Sequence, residues 1–209
     1  MQTGGSRKPD RTGFPGVVGC TDETIIKIQA SKENEADYIC QKGYYALNIQ
    51  YQIIDLVAKW PGSVHDSRIF RESALCTYLE EGQIQGIVLG DSGYGLKPYL
   101  MTPYLSAETE ATHKFNTAHC RTRVTIEQTY GIKKGSNALH CGLRINPEPA
   151  CRVVTACVIL QNIGLMKGDI LTEVPPFTTD SSRAHDVVIP EDAIGRTVRD
   201  HIRDTYFHV

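Results

Sequence analysis

Apolar and β-branched residues cluster first at Val17-Val18-Gly19-Cys20-Thr21 and again at Thr24-Ile25-Ile26-Lys27-Ile28, with Asp22 between the two halves. Such short, β-rich runs predict a buried strand or a tight pair of strands. Gly43 through Trp60 reads as extended, its strand formers being Tyr44, Tyr45, Leu47, Ile49, Ile53, Ile54, Leu56 and Val57, and Pro61-Gly62 ends it. Beyond that turn Ser63 or Asp66 can cap a helix that carries Ile69, Phe70, Leu75 and Leu79 and stops near Gly82. Ile87-Val88-Leu89 then enters Gly90-Asp91-Ser92-Gly93, a buried strand delivering an aspartate into a glycine-flanked turn. Residues 116 to 134 predict a helix in which Asn116, His119, Arg123, Glu127 and Tyr130 share one polar face, opposite Val124 and Ile132. A second helix, roughly Glu148 to Lys167, is largely apolar, is predicted to be buried on most sides, and is stopped by Gly168. Strands and helices in this order predict a mixed α/β layer.

Two regions lie outside the pattern. Residues 1 to 12 are rich in Gly, Lys, Arg and Pro without an apolar period, and disorder is expected there. Residues 169 to 209 are polar and acidic, and are expected to be mostly disordered apart from a short helix at Glu191 to His201. One domain is therefore predicted over residues 13 to 168. No apolar run reaches the ~18 residues of a membrane span, and the start lacks the apolar core of a secretory signal. An intracellular chain with no membrane partner is expected. The seven cysteines are scattered with no Cys-x-x-Cys pair, as reduced core thiols would be, and His140-Cys141 lacks further zinc ligands at suitable spacing.

Charge changes the picture locally. The net charge of -2 conceals a basic stretch, residues 111 to 145, in which Lys114, Arg121, Arg123, Lys133, Lys134 and Arg144 surround the single acid Glu127. Such a stretch is either a solvated helix face or the footprint of a nucleic acid. Two acids at strand ends, Asp22 and Asp91, and a third on a later helix, Glu127, are the candidate chemistry. Phosphodiester cleavage calls for hard divalent cations held by carboxylates, with basic neighbours on the substrate's phosphates.

Four blocks carry a resemblance. Gly13-Phe14-Pro15-Gly16-Val17-Val18-Gly19-Cys20-Thr21-Asp22, Trp60-Pro61-Gly62-Ser63-Val64-His65-Asp66-Ser67-Arg68-Ile69-Phe70, Leu89-Gly90-Asp91-Ser92-Gly93-Tyr94 and Arg123-Val124-Thr125-Ile126-Glu127-Gln128-Thr129-Tyr130-Gly131 closely resemble the signature blocks of the PIF/Harbinger DDE transposases and the nucleases derived from them. The resemblance implies an RNase H-like mixed sheet flanked by helices, an endonuclease cutting DNA by a two-metal mechanism, and a catalytic triad at Asp22, Asp91 and Glu127. It implies Mg²⁺ or Mn²⁺, two ions, held by those three acids and by Asp66, whose other reading is a helix N-cap. His119, Arg123, Lys133 and Lys134 are the expected phosphate and DNA contacts, and His119 or Arg123 could instead orient the Glu127 carboxylate. DNA as partner, a nuclear and cytoplasmic location and a homo-oligomer go with this reading.

The family pattern has a helical, DNA-binding-like region ahead of the first catalytic strand, whereas this chain begins almost at that strand, so a separate DNA-binding partner protein is expected. The family's Lys-Arg-Arg-Phe type segment is replaced by Ile132-Lys133-Lys134-Gly135-Ser136-Asn137-Ala138-Leu139, which reads as a loop. The family's turn between the strands matching Ala46–Gln50 and Ile54–Trp60 is also missing. These departures leave a second expectation open, an inactive domain that binds DNA or protein. Asp22 and Asp91 are expected on adjacent strands with their carboxylates at one sheet edge, close enough to share a cation. A shortened, irregular hairpin is expected near Gln50 to Ile53, since one continuous strand would be too long for the domain.

Overall fold

The computed structural model describes residues 13–27, 40–49, 52–61, 64–128, 143, 145–168 and 191–208, without the side chains at 23–27, 40–44, 58–59, 61, 66 and 125–128. The predicted disorder at 1 to 12 and the loop at 132 to 139 lie outside the described residues. The first apolar cluster forms one strand, β1 (Val17–Lys27), rather than a pair. The extended stretch forms β2 (Cys40–Asn48) and β3 (Ile53–Pro61), and the strands β4 (Ile87–Leu89) and β5 (Leu100–Met101) follow. β5, of two residues, carries no strand signal of its own in the sequence. The strand order is β3-β2-β1-β4-β5, with β1, β2 and β3 antiparallel in turn and β4 and β5 parallel to β1. This is the RNase H-like α/β arrangement.

Alternation along the strands sorts side chains onto two faces. Cys20, Tyr45, Leu47, Ile53, Leu89 and Met101 enter one core cluster, while Ala46, Val88 and Leu100, their neighbours in sequence, enter the other. The second cluster is closed by two short helices, α1 (Asp66–Arg71) and α2 (Ala74–Glu80). The single helix expected here is broken at Ser73, whose hydroxyl accepts from Cys76 N, while Asp55 of β3 accepts from Leu75 N. Asp66 opens α1 as its first residue, with His65 at the N-cap, so the N-cap role expected for Asp66 does not hold. Gly82, at φ 70°, ends the segment in a backbone conformation that a β-carbon would strain.

The first cluster is covered by α3 (Glu110–Gln128), α4 (Pro147–Met166) and α5 (Ala193–Tyr206). α3 starts six residues ahead of the expected position, because Thr109 and Thr112 exchange side-chain and backbone hydrogen bonds around its first turn. α4 was expected to be buried on most sides. It buries Ala150, Val154 and Val158, but Ile159, Leu160, Ile163 and Met166 are exposed, because the sheet covers only one of its faces. By length and composition α4 is apolar enough to cross a membrane, but its inner face here is seated on the sheet.

The hairpin survives in shortened form. Asn48 N donates to Gln52 O at 2.9 Å and Gln52 N donates to Asn48 Oδ1 at 2.9 Å, so the side chain of Asn48 supplies the turn chemistry that residues 50 to 53 lack. The pairing is irregular, with register shifts at Lys42/Tyr44 and at Ala46/Leu47. From α4, Asn162 clasps Ile53 through both its backbone groups, at 3.0 and 2.9 Å.

The acidic tail departs most from expectation. Residues 169–190 lie outside the described set, but the predicted short helix is α5, which runs to Tyr206 and packs into the domain. Asp192 caps it through Ile194 N and Gly195 N, Ile202 is buried, and Phe207 meets the rings of Phe14 and Phe115 at 5.8 and 5.7 Å. Arg199 is 5 % exposed, pairs with Glu191 at 3.0 Å and lies 4.2 Å over the Tyr104 ring, which is how so polar a helix can be buried.

Candidate active site

Asp22, expected at a strand end, lies midway along β1, because β1 continues to Lys27, and it comes level with Asp91 just past the end of β4. β1 and β4 are parallel neighbours with Cys20 opposite Leu89, and each acid follows its register partner by two residues. Cys20 and Leu89 belong to the core cluster beneath α3, so a period of two carries Asp22 to that same face. Asp91 opens the turn after β4, its Oδ1 accepting from Gly93 N at 2.8 Å. The glycine before it is required by close packing, since a β-carbon on Gly90 would sit 3.0 Å from Tyr94 Cδ2 and 3.3 Å from Leu100 Cδ1.

Asp22 is gripped from two elements. Tyr45, its register partner on β2, donates its hydroxyl to Asp22 Oδ2 at 3.3 Å. From α3, an Arg123 guanidinium nitrogen lies 3.4 Å from Asp22 Oδ1, with side-chain exposures of 16 % and 23 %. Arg123 was expected on phosphate or on Glu127, whose side chain is not described, and among the described residues it reaches the first candidate acid.

His119, expected as a phosphate contact or as a support for Glu127, lies inside the domain. The ring is 2 % exposed, its Nε2 lies 3.1 Å from Met101 O, and it stacks with Phe115 and meets Phe14 edge-on. Burial, reinforced by the charge of Arg123, pushes its pKa down to about 3, so it is neutral. A carbonyl only accepts, so Nε2 carries the proton. Met101 O also accepts from Gly90 N at 3.0 Å, and His119 thereby ties α3 to the backbone just before Asp91. Asn116, on the same stripe, bonds both backbone groups of Tyr104 at 2.9 Å. The polar face of α3 therefore points into the domain.

Glu127 lies on α3 one turn beyond Arg123, and Asp66 opens α1, but neither side chain is among those described. Lys133 and Lys134 lie outside the described residues. Among those described, no group of three or more His, Cys, Asp or Glu is gathered to hold an ion. The donor chemistry nevertheless suits a hard divalent cation, with the carboxylate residues Asp22 on β1 and Asp91 just past the end of the neighbouring β4 brought level by the register. Tyr45 was missed as a site residue. It reads as an ordinary strand former, and only the β1–β2 register makes it a neighbour of Asp22.

The described cysteines form no disulfide. Cys20 and Cys76 are the buried thiols that had been expected, whereas Cys120 is exposed.

Comparison with known proteins accords with this geometry. Residues 19–162 match the family model described as DDE superfamily endonuclease. The Bos taurus and Homo sapiens proteins named "Putative nuclease HARBI1" are each 31% identical over 169 residues, covering 75% of this chain and 48% of theirs. "Protein ALP1-like" of Arabidopsis thaliana is 22% identical over 201 residues, covering 84% of this chain and 48% of its own. The chain thus spans about half the length of the curated relatives it matches. No solved structure gives a significant match.

Proposed function

The chain belongs to the DDE superfamily of endonucleases, in its PIF/Harbinger branch, and on that premise we propose that it is a divalent-metal-dependent DNA endonuclease domain with Asp22, Asp91 and Glu127 as its catalytic carboxylates. The supporting observation is the β1–β4 register, which brings Asp22, midway along β1, level with Asp91 just past the end of β4, on a sheet covered by the helix bearing Glu127. Asp22, Asp91 and Glu127, with Asp66 as a fourth donor, would hold two Mg²⁺ or Mn²⁺ ions. Bound there, such ions stabilise the attacking and leaving oxygens of an in-line displacement at phosphorus.

The chain's own residues have distinct tasks. Asp22 and Asp91 present oxygens from a rigid sheet, and Tyr45 holds one Asp22 oxygen in place. His119, neutral and buried, fixes the end of β4 without adding charge. Lys133 and Lys134 follow α3 in sequence as candidate phosphate contacts. A nuclear and cytoplasmic location goes with this reading, and a separate DNA-binding protein or a second copy would supply specific recognition.

Cleavage of a labelled duplex in Mg²⁺ or Mn²⁺ tests this. Wild type should cut, and Asp22→Asn and Asp91→Asn should not. Absence of cutting by wild type, or cutting undiminished in Asp91→Asn, would overturn it. The Arg123–Asp22 pair favours a second reading, a domain that binds DNA or protein without turnover, and the first of those outcomes would support it.

A further inference from the structure

We propose that Arg123 is an exchangeable counter-ion, held on Asp22 while no divalent cation is bound and passed to a DNA phosphate when one takes the carboxylate. This rests on Asp22 being a metal ligand, as proposed above.

The contact has the marks of something made to be given up. A tight charge-assisted hydrogen bond runs at about 2.7–2.9 Å, whereas Arg123 stands 3.4 Å from Asp22 Oδ1 and Tyr45 3.3 Å from Oδ2. Both oxygens are engaged, and neither of these two contacts is a tight one. Some cation is nevertheless required there, because a carboxylate only 23 % exposed is costly to leave uncompensated.

A divalent ion on Asp22 changes the balance. It meets the carboxylate's demand for charge, and at a few ångströms it repels the guanidinium, which then gains by moving to another anion. Arg123 is suited to the move. Its planar fork fits phosphate oxygens, and its long stem lets the head swing while α3 stays fixed by Phe115 and His119 on the same stripe. His119, one turn earlier and neutral, adds no competing charge. Cation and duplex should therefore bind cooperatively, since the first releases the group that holds the second.

The test measures binding rather than turnover, on the full chain. Mn²⁺ affinity is titrated for wild type, Arg123→Gln, Arg123→Lys and Asp22→Asn, with each variant's metal-free melting temperature as a check on folding. Affinity for a fluorescein-labelled duplex is then measured by anisotropy with and without Ca²⁺. Arg123→Gln should bind Mn²⁺ about tenfold more tightly than wild type, because a repelling charge has gone, and Arg123→Lys should stay near wild type. Ca²⁺ should strengthen duplex binding by wild type and leave Arg123→Gln nearly unchanged. If Arg123→Gln melts too low to titrate, Arg123→Met, which keeps much of the apolar stem, carries the same comparison. Mn²⁺ affinity in Arg123→Gln no higher than in wild type, or equal Ca²⁺ enhancement in both, overturns the exchange while the metal site stands, provided Asp22→Asn has lost Mn²⁺. Undiminished Mn²⁺ binding by Asp22→Asn removes the metal-site assignment itself, and the exchange falls with it.

Discussion

His119 shows how one buried side chain links the site to solution conditions. Its folded pKa, pushed from 6.5 down to about 3, means that the unfolded chain takes up a proton that the fold refuses. The contribution is complete above about pH 6.5 and drains away as pH falls toward about 3, with about 2 kcal/mol gone by pH 5. Urea midpoints at about pH 7.5 and about pH 5 should differ in wild type, and differ much less in His119→Gln, which can still donate to Met101 O. An equal pH slope in both proteins would show that the ring is not the source. The tetrad Asn116, His119, Arg123 and Glu127 was legible in the sequence as a stripe of one helix. Its direction was not, because spacing gives a shared face but says nothing about what that face meets. Its described members Asn116, His119 and Arg123 meet the backbone of Tyr104, the carbonyl of Met101 and the carboxylate of Asp22, which need polar partners as much as apolar side chains need cover.

At the scale of elements, the hairpin between β2 and β3 was decided by residues outside the turn. Asn48 closes it locally, and Asn162, 109 residues further along the chain, caps Ile53 through its N–H and its carbonyl. Ile53 is 7 % exposed, so Asn162→Ala would leave both groups short of partners where water scarcely reaches. A loss of about 2 kcal/mol or more is expected by chemical denaturation. A loss near zero would mean that α4 is not seated on β3 through this clasp. The local signal was partly present, since Asn48 is a turn residue lying two residues before the stretch in which a turn was sought. The contribution of Asn162 could not be read, because nothing in an apolar helix identifies the strand end that its one amide will reach.

For the whole molecule, α5 packs the described end of the acidic tail onto the domain. Its Phe207 closes on Phe14 and Phe115, Asp200 accepts from Tyr104 at 2.7 Å, and Gly195 packs so near Lys97 that a β-carbon would lie 3.0 Å from that residue's carbonyl carbon. A chain ending before Glu191 should therefore melt about 10 °C or more below the full chain. Equal melting temperatures would remove α5 from the core. The sequence by itself determined the kinds of element, the α/β class, and that Asp91 stands just past a strand end. Those follow from periodicity and turn chemistry, which are local properties of a short window of residues. Only the tertiary structure decided that Tyr45 and Arg123 meet Asp22, that His119 is buried and neutral, that half of α4 is exposed, and that a charged tail packs against aromatic rings. Each of these depends on strand register and on the seating of helices on the sheet, contacts between residues far apart in the chain, whose energies no local pattern encodes.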